Sequence, residues 1–182
     1  MSYKIGIVGA PGAGKTAFGA ALYAELLIRG VEGAFLIPEY AKEHLANGKT
    51  LRTFLDQFTV TNEQILREQQ YEKTLFSPII CDTCVWLGGI YAKLMGLRRH
   101  TQLDEYFIRL DSVDYDLTIF VPLPNTDDHT SQYRIHDAKQ SLDIQDLILT
   151  ELETKRNVHV APKLFKDRAQ FIKNICEGIT YE

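Results

Sequence analysis

Residues 9–16 read Gly-Ala-Pro-Gly-Ala-Gly-Lys-Thr. This is the spacing of a Walker A phosphate-binding loop, which operates only between a buried strand and the helix it opens. Both neighbours are present. Residues 3–8 are short, apolar and β-branched, as a buried parallel strand requires. Beyond the loop, Phe18, Leu22, Leu26 and Arg29 recur at helical spacing, and Gly30 supplies the stop. Successive backbone N–H groups from Gly12 to Thr16 are expected to form an anion cradle at the positive end of that helix. Gly9, Ala10, Pro11, Gly12, Ala13, Gly14, Lys15 and Thr16 are therefore the expected nucleotide-binding set. Lys15 is expected to reach the β- and γ-phosphates, and the Thr16 hydroxyl to hold Mg²⁺. The glycines are read as removing side chains that would keep the backbone away from phosphate.

The rest of the chain alternates strand and helix patterns, which implies a parallel sheet covered on both faces. The second strand is expected at 33–37, stopped by Pro38, and a helix at 39–46 ended by Asn47-Gly48. Thr61-Asn62-Glu63-Gln64 has the form of a capping box, opening a helix to about residue 76 before Ser77-Pro78. A third strand follows at 79–82, a helix at 85–95 closed by Gly96, and a further helix capped from Thr101 and running to about residue 110. The fourth strand covers 117–121. Residues 125–140 are polar and read as a mobile, lid-like segment. Helices at 141–155 and 164–178 flank a last short strand at 158–160. With no repeat, low-complexity tract or linker, residues 1–182 are expected to form one three-layer α/β domain of the P-loop NTPase type.

Bulk properties narrow the setting. A net charge of −4 argues against a strong nonspecific grip on nucleic acid, although Lys93, Arg98, Arg99 and His100 form a local cationic cluster. No apolar run approaches the roughly 20 residues that span a bilayer, so no membrane partner is expected. The N-terminus lacks the basic-then-apolar layout of a signal peptide, and Cys81, Cys84 and Cys176 are an odd number of cysteines that fits a reducing compartment. A cytoplasmic protein is expected.

Ligands on such a sheet bind beyond the carboxyl ends of the strands. That rule brings Glu39 and Asp82 to the edge that carries the cradle. Asp82 ends an apolar strand, where an acidic residue helps to hold Mg²⁺; its alternative is a helix N-cap before Val85, a role Thr83 can also fill. Glu39 stands where an acceptor hydroxyl would be deprotonated, the alternative being a first-turn carboxylate facing the helix dipole. Arg134, in the polar segment, is a candidate lid cation for the transferring phosphoryl group, with Lys139 a weaker substitute and an ordinary surface arginine the alternative. Cys81 and Cys84 have redox or zinc spacing, but no second pair exists and Cys81 falls within a strand. His129 and His136, with Asp127, Asp128 and Asp137, read as a solvated loop rather than a metal site. Tyr40, Phe58, Trp86 and Tyr91 offer either a base-stacking platform or core packing.

Three functional classes share such a cradle. A GTPase needs a guanine-reading Asn-Lys-x-Asp segment, which is missing. Motor-type ATPases usually place a glutamate after the metal aspartate, where this chain has Thr83. A small-molecule kinase needs a second, acceptor-binding wall, which residues 40–76 and 85–110 can form. Together with the cradle, the segments 38–43, 64–71, 80–83, 116–120 and Tyr133-Arg134 give the chain its resemblance to the P-loop nucleoside and nucleotide kinases. That group includes thymidylate kinases and the nicotinamide-riboside kinase domain of bacterial NAD regulators. The resemblance implies a five-stranded parallel core, an ATP–Mg²⁺ donor and an acceptor held near Glu39. Thr83 departs from the arginine that thymidylate-type enzymes use for the acceptor's phosphate, and Cys84 departs from the Asp-Thr-Asp of nicotinamide-riboside kinases. In size and plan the chain is also similar to bacteriophage kinases of 5-hydroxymethyluracil in DNA, for which Lys93, Arg98 and Arg99 would touch the backbone. That DNA base is the preferred expected acceptor. A free nucleoside, nicotinamide riboside or a nucleoside monophosphate is the alternative, and a regulatory ATPase or nucleotide switch is the competing class.

Overall fold

A computed structural model describes residues 2–96, 104–124 and 137–180. Strands β1 (Lys4–Val8), β2 (Phe35–Ile37), β3 (Ile79–Cys81), β4 (Leu117–Phe120) and β5 (Val158–Val160) are all parallel, in the order β2-β3-β1-β4-β5. Between and after them run α1 (Lys15–Ile28), α2 (Tyr40–Ala46), α3 (Phe54–Glu72), α4 (Leu87–Leu94), α5 (Asp104–Asp111), α6 (Ala138–Leu152) and α7 (Phe165–Thr180). β1 is the centre and is buried along its whole length, with Ile5, Ile7 and Val8 fully enclosed. Ile5 pairs with Ile80 on one side and Leu117 on the other, so the three inner strands are in step. β5 is an edge strand, and His159 and Val160 are accordingly exposed.

The connection from β1 steps past β3 to β2, whereas every later connection steps the other way. Right-handed crossovers then place α1 on one face and α2 to α6 on the other. Contacts agree: α1 packs on α7, while α3 and α6 both pack on α4. This reversal opens a crevice beside β1 at the carboxyl edge of the sheet.

Two helix starts differ from the sequence expectation. α3 begins at Phe54, because Thr53 and Asp56 form the capping box: the Thr53 hydroxyl accepts from Asp56 N at 3.2 Å, and Asp56 accepts from Thr53 N at 3.0 Å. Thr61 and Gln64 therefore lie inside the helix, and both are buried. α6 begins at Ala138, capped reciprocally by Asp137 and Gln140, so the last residues of the polar segment are ordered helix. Asp137 is thus a cap. Arg134, His129, His136 and the Arg98-Arg99-His100 cluster lie outside the described residues.

A buried polar seam ties α3 to the sheet. Lys4 pairs with Glu72 at 2.5 Å and with Glu68 at 3.5 Å, although Lys4 and Glu68 are almost wholly enclosed. Glu68 also accepts from Tyr115 Oη at 3.0 Å and from Gln64 Nε2 at 3.2 Å. Burial pushes the Glu68 carboxyl up, against the pull of Lys4. The seam reaches the site, because Gln64 Oε1 accepts from Tyr40 N at 3.0 Å. It thereby fixes the start of α2, immediately after Glu39.

Candidate active site

The loop between β1 and α1 adopts a conformation that only glycine takes easily at two points: φ is +88° at Gly12 and +87° at Gly14. Gly14 is the N-cap of α1 and offers no side chain, so the first amides of the helix stay open to a ligand. Gly9 has a different reason. A Cβ there would stand 2.3 Å from Val121 O, so Gly9 permits the loop to lie against the end of β4. Lys15 is buried and folds back, donating to Gly9 O at 2.9 Å and Ala10 O at 3.3 Å. Desolvation lowers its pKa, and Glu39 partly opposes that.

Arg168 on α7 holds this loop from behind, a role that the sequence does not suggest. Its guanidinium donates to Ala13 O at 2.8 Å, Pro122 O at 2.9 Å and Pro162 O at 3.0 Å. It also stacks on the Phe165 ring at 4.4 Å. Three loops at the sheet edge are thereby tied together by one buried cation.

Glu39 and Asp82 meet at Lys42. The Lys42 ammonium donates to Thr16 Oγ1, to Asp82 Oδ2 at 2.9 Å and to Glu39 Oε2 at 3.1 Å. Burial works against its charge, but Glu39 and then Asp82 outweigh burial, and its pKa is raised. Glu39 makes no side-chain capping bond to α2, although it is the N-cap residue, and Trp86 rather than Asp82 is the N-cap of α4. Neither carboxylate is spent on a helix terminus. Asp82 Oδ1 is buried and, among the described residues, has no hydrogen-bond partner. An unsatisfied carboxylate oxygen beside a hydroxyl, with a cation already drawn to both, is a hard-oxygen donor set that suits Mg²⁺.

The cradle lines a cavity of about 770 Å³ together with Lys15, Thr16, Glu39 and Lys42. Leu45, Leu51, Val60, Leu87 and Met95 also line it, with Gln57, Thr61 and Gln64 contributed by one face of α3. Thr61 Oγ1 lies 3.0 Å from Tyr106 Oη and accepts from Gln57 Nε2 at 3.4 Å. Of the four aromatic candidates, Tyr91 lines this cavity. Tyr40 packs beside His44 under the Arg67 guanidinium, Phe58 joins Phe54 and Tyr106, and Trp86 belongs to the core. Cys81 and Cys84 are buried free thiols whose pKa burial pushes well up, away from thiolate chemistry. Lys93 is paired with Glu151 at 3.7 Å. Among the described residues no helix is long and apolar enough to cross a membrane.

Solved structures with this fold include the NadR protein in complex with NAD and AMP-PNP, at TM-score 0.69 and 18% identity over 100% of this chain and 50% of that one. NadR in complex with NR gives 0.68 and 17% over the same shares. Thymidylate kinase from Ehrlichia chaffeensis gives 0.67 and 16% over 98% of both chains. The chain thus spans half the length of the NadR chains and nearly all of the thymidylate kinase, and its fold is that of P-loop nucleotide kinases. No curated protein matches it. A family model described as an AAA domain matches residues 4–168, which include the cradle, Glu39, Asp82 and Arg168, and the chain belongs to that family of P-loop proteins.

Proposed function

We propose that the protein transfers the γ-phosphoryl group of ATP to a hydroxyl of a nucleoside-type acceptor. The observation that carries this reading is one cavity lined at once by the cradle, by Glu39, by apolar side chains and by neutral hydrogen-bonding ones. Lys15 turns from Gly9 O and Ala10 O to the β- and γ-phosphates. Glu39 takes the acceptor's O–H proton as the new O–P bond forms and the bond to the β-phosphate oxygen breaks, with ADP leaving. Thr16 and Asp82 would hold Mg²⁺, which would neutralise charge on the phosphates.

The acceptor is read as uncharged. Among the described residues, the cations of the cavity wall are Lys15 and Lys42, both at the donor end. Gln57 and Thr61 suit the amide edge of a base, and Tyr91 its face. A free nucleoside or a comparable riboside is favoured over a monophosphate. Of the contacts that the finer expectation of hydroxymethyluracil in DNA relies on, Lys93 lies exposed beside Glu151, and Arg98 and Arg99 lie outside the described residues.

Labelled ATP offered with nucleosides, nicotinamide riboside, thymidine monophosphate and hydroxymethyluracil DNA tests the assignment. The expected result is label on a free nucleoside-type acceptor and none with Lys15→Ala. The family's description as an AAA domain favours a second reading, hydrolysis without a phosphorylated product. Phosphate release that no acceptor stimulates would establish that reading and refute the first.

A further inference from the structure

Lys42 does not belong to the phosphate-binding loop, yet its ammonium sits among the oxygens that would receive a metal. Thr16 Oγ1, Asp82 Oδ2 and Glu39 Oε2 surround it, and Asp82 Oδ1 remains unpartnered beside them. The site therefore presents more oxygen donors than one ammonium satisfies. The two partners also differ in freedom. Asp82 is 3% exposed at the end of β3, whereas the Lys42 side chain is 51% exposed on a flexible stem at the start of α2. The carboxylate is fixed and the amine can leave.

We propose that Lys42 is a further catalytic residue, parked on the metal position in the nucleotide-free protein and moved onto the transferring phosphoryl group when metal–nucleotide binds. This role rests on the phosphotransfer reading above. A divalent cation on Thr16 and Asp82 would compete with the ammonium for the same oxygens, because two positive centres a few ångströms apart repel. The anchor that Lys42 keeps after displacement is Glu39, three residues earlier on the same turn. That tether keeps the ammonium in the cavity that the cradle, Glu39 and the candidate acceptor side chains also line. The γ-phosphoryl group crosses this cavity. Phosphoryl transfer needs positive charge there, placed so that it strengthens as charge moves toward the leaving oxygen.

The test compares the full-length wild type with Lys42→Met and Lys42→Arg, using thermal unfolding to confirm that each is folded. Mn²⁺ titrated into nucleotide-free protein, with free Mn²⁺ read by electron paramagnetic resonance, reports the parked position without turnover. Lys42→Met is expected to bind Mn²⁺ at least about tenfold more tightly than wild type, because a competing like charge has gone. Lys42→Arg keeps the charge and should not show that gain. Equal Mn²⁺ affinity in wild type and Lys42→Met overturns the parked position. With the acceptor found in the screen, Lys42→Met should lose about 100-fold or more in kcat while affinity for Mg²⁺–AMP-PNP is retained, and Lys42→Arg should recover part of the loss. A Lys42→Met kcat within about threefold of wild type overturns the transfer role. If the wild type phosphorylates no acceptor, the kinase reading falls and takes the transfer role with it, while the Mn²⁺ titration still decides the parked position.

Discussion

Arg168→Met removes the buried fork behind the phosphate-binding loop while keeping much of the stem's volume. Three main-chain carbonyls, Ala13 O, Pro122 O and Pro162 O, lose their charged donor at 2.8–3.0 Å. A hydrogen bond to a charged group contributes about 1.5–3 kcal/mol, and a buried acceptor left unpaired costs about 1–3 kcal/mol. Two effects reduce the total. The guanidinium's own desolvation, which lowers its pKa, is relieved, and water can reach loop carbonyls near the sheet edge. Taking the low end for each acceptor gives a net loss of about 3 kcal/mol. Urea unfolding should show this as a lower midpoint at unchanged m. The same change frees Ala13 in the cradle, so Mg²⁺–AMP-PNP affinity measured by calorimetry should fall about tenfold, equivalent to about 1.4 kcal/mol. Arg168→Lys, with a point charge that reaches fewer of the three acceptors, should fall between the two. A loss under about 1 kcal/mol together with unchanged nucleotide affinity would refute the clamp.

Three further outcomes follow from the same geometry. Glu39→Gln keeps the shape of the side chain but not its basicity, so kcat should fall by about 10²–10⁴ with little change in nucleotide affinity, and parallel loss of both would indicate a structural role. Gly9→Ala places a Cβ 2.3 Å from Val121 O; the resulting backbone shift should cost about 2–3 kcal/mol in urea unfolding, and a neutral effect would show that the loop does not press on β4. Lys15 has its pKa lowered from 10.5 by desolvation in the nucleotide-free protein. Phosphate oxygens should raise it again, so between the lowered value and 10.5 nucleotide binding must take up a proton. Calorimetry in buffers of different ionisation enthalpy measures that uptake, and its absence throughout the window would contradict the burial of a charged Lys15. The sign for stability is fixed by the same shift: the unfolded chain holds the extra proton in that window, so Lys15's contribution to stability rises with pH there.

What the sequence reveals depends on how far apart the cooperating residues are. The cradle is a run of eight residues whose chemistry is local, so its pattern can be read directly. Glu39 and Asp82 follow from a general rule about strand ends, which needs only the strands to be placed. Lys42 escapes both routes, because its partner Thr16 is 26 residues away and meets it only when α2 folds over the loop. Arg168 is 155 residues from Ala13 and looks like any polar residue of an amphipathic helix until the sheet brings them together. The start of α3 is missed for a different reason. Thr53 is reciprocated by an aspartate, Asp56, whereas Thr61 and Gln64 carry the commoner capping pattern but face the cavity instead.

On the proposed reaction, the sheet order gives the two carboxylates different ends to serve. β3 lies between β1 and β2, so Asp82 stands beside the cradle while Glu39 stands one strand further out. Although neighbouring strands are roughly 4.8 Å apart, the Glu39 and Asp82 side chains converge, each within 3.1 Å of the one Lys42 ammonium. Lys42 touches Asp82 and Glu39 at once. On the proposed reaction, its position is where the charges of metal, acid and moving phosphoryl group would have to be balanced against one another.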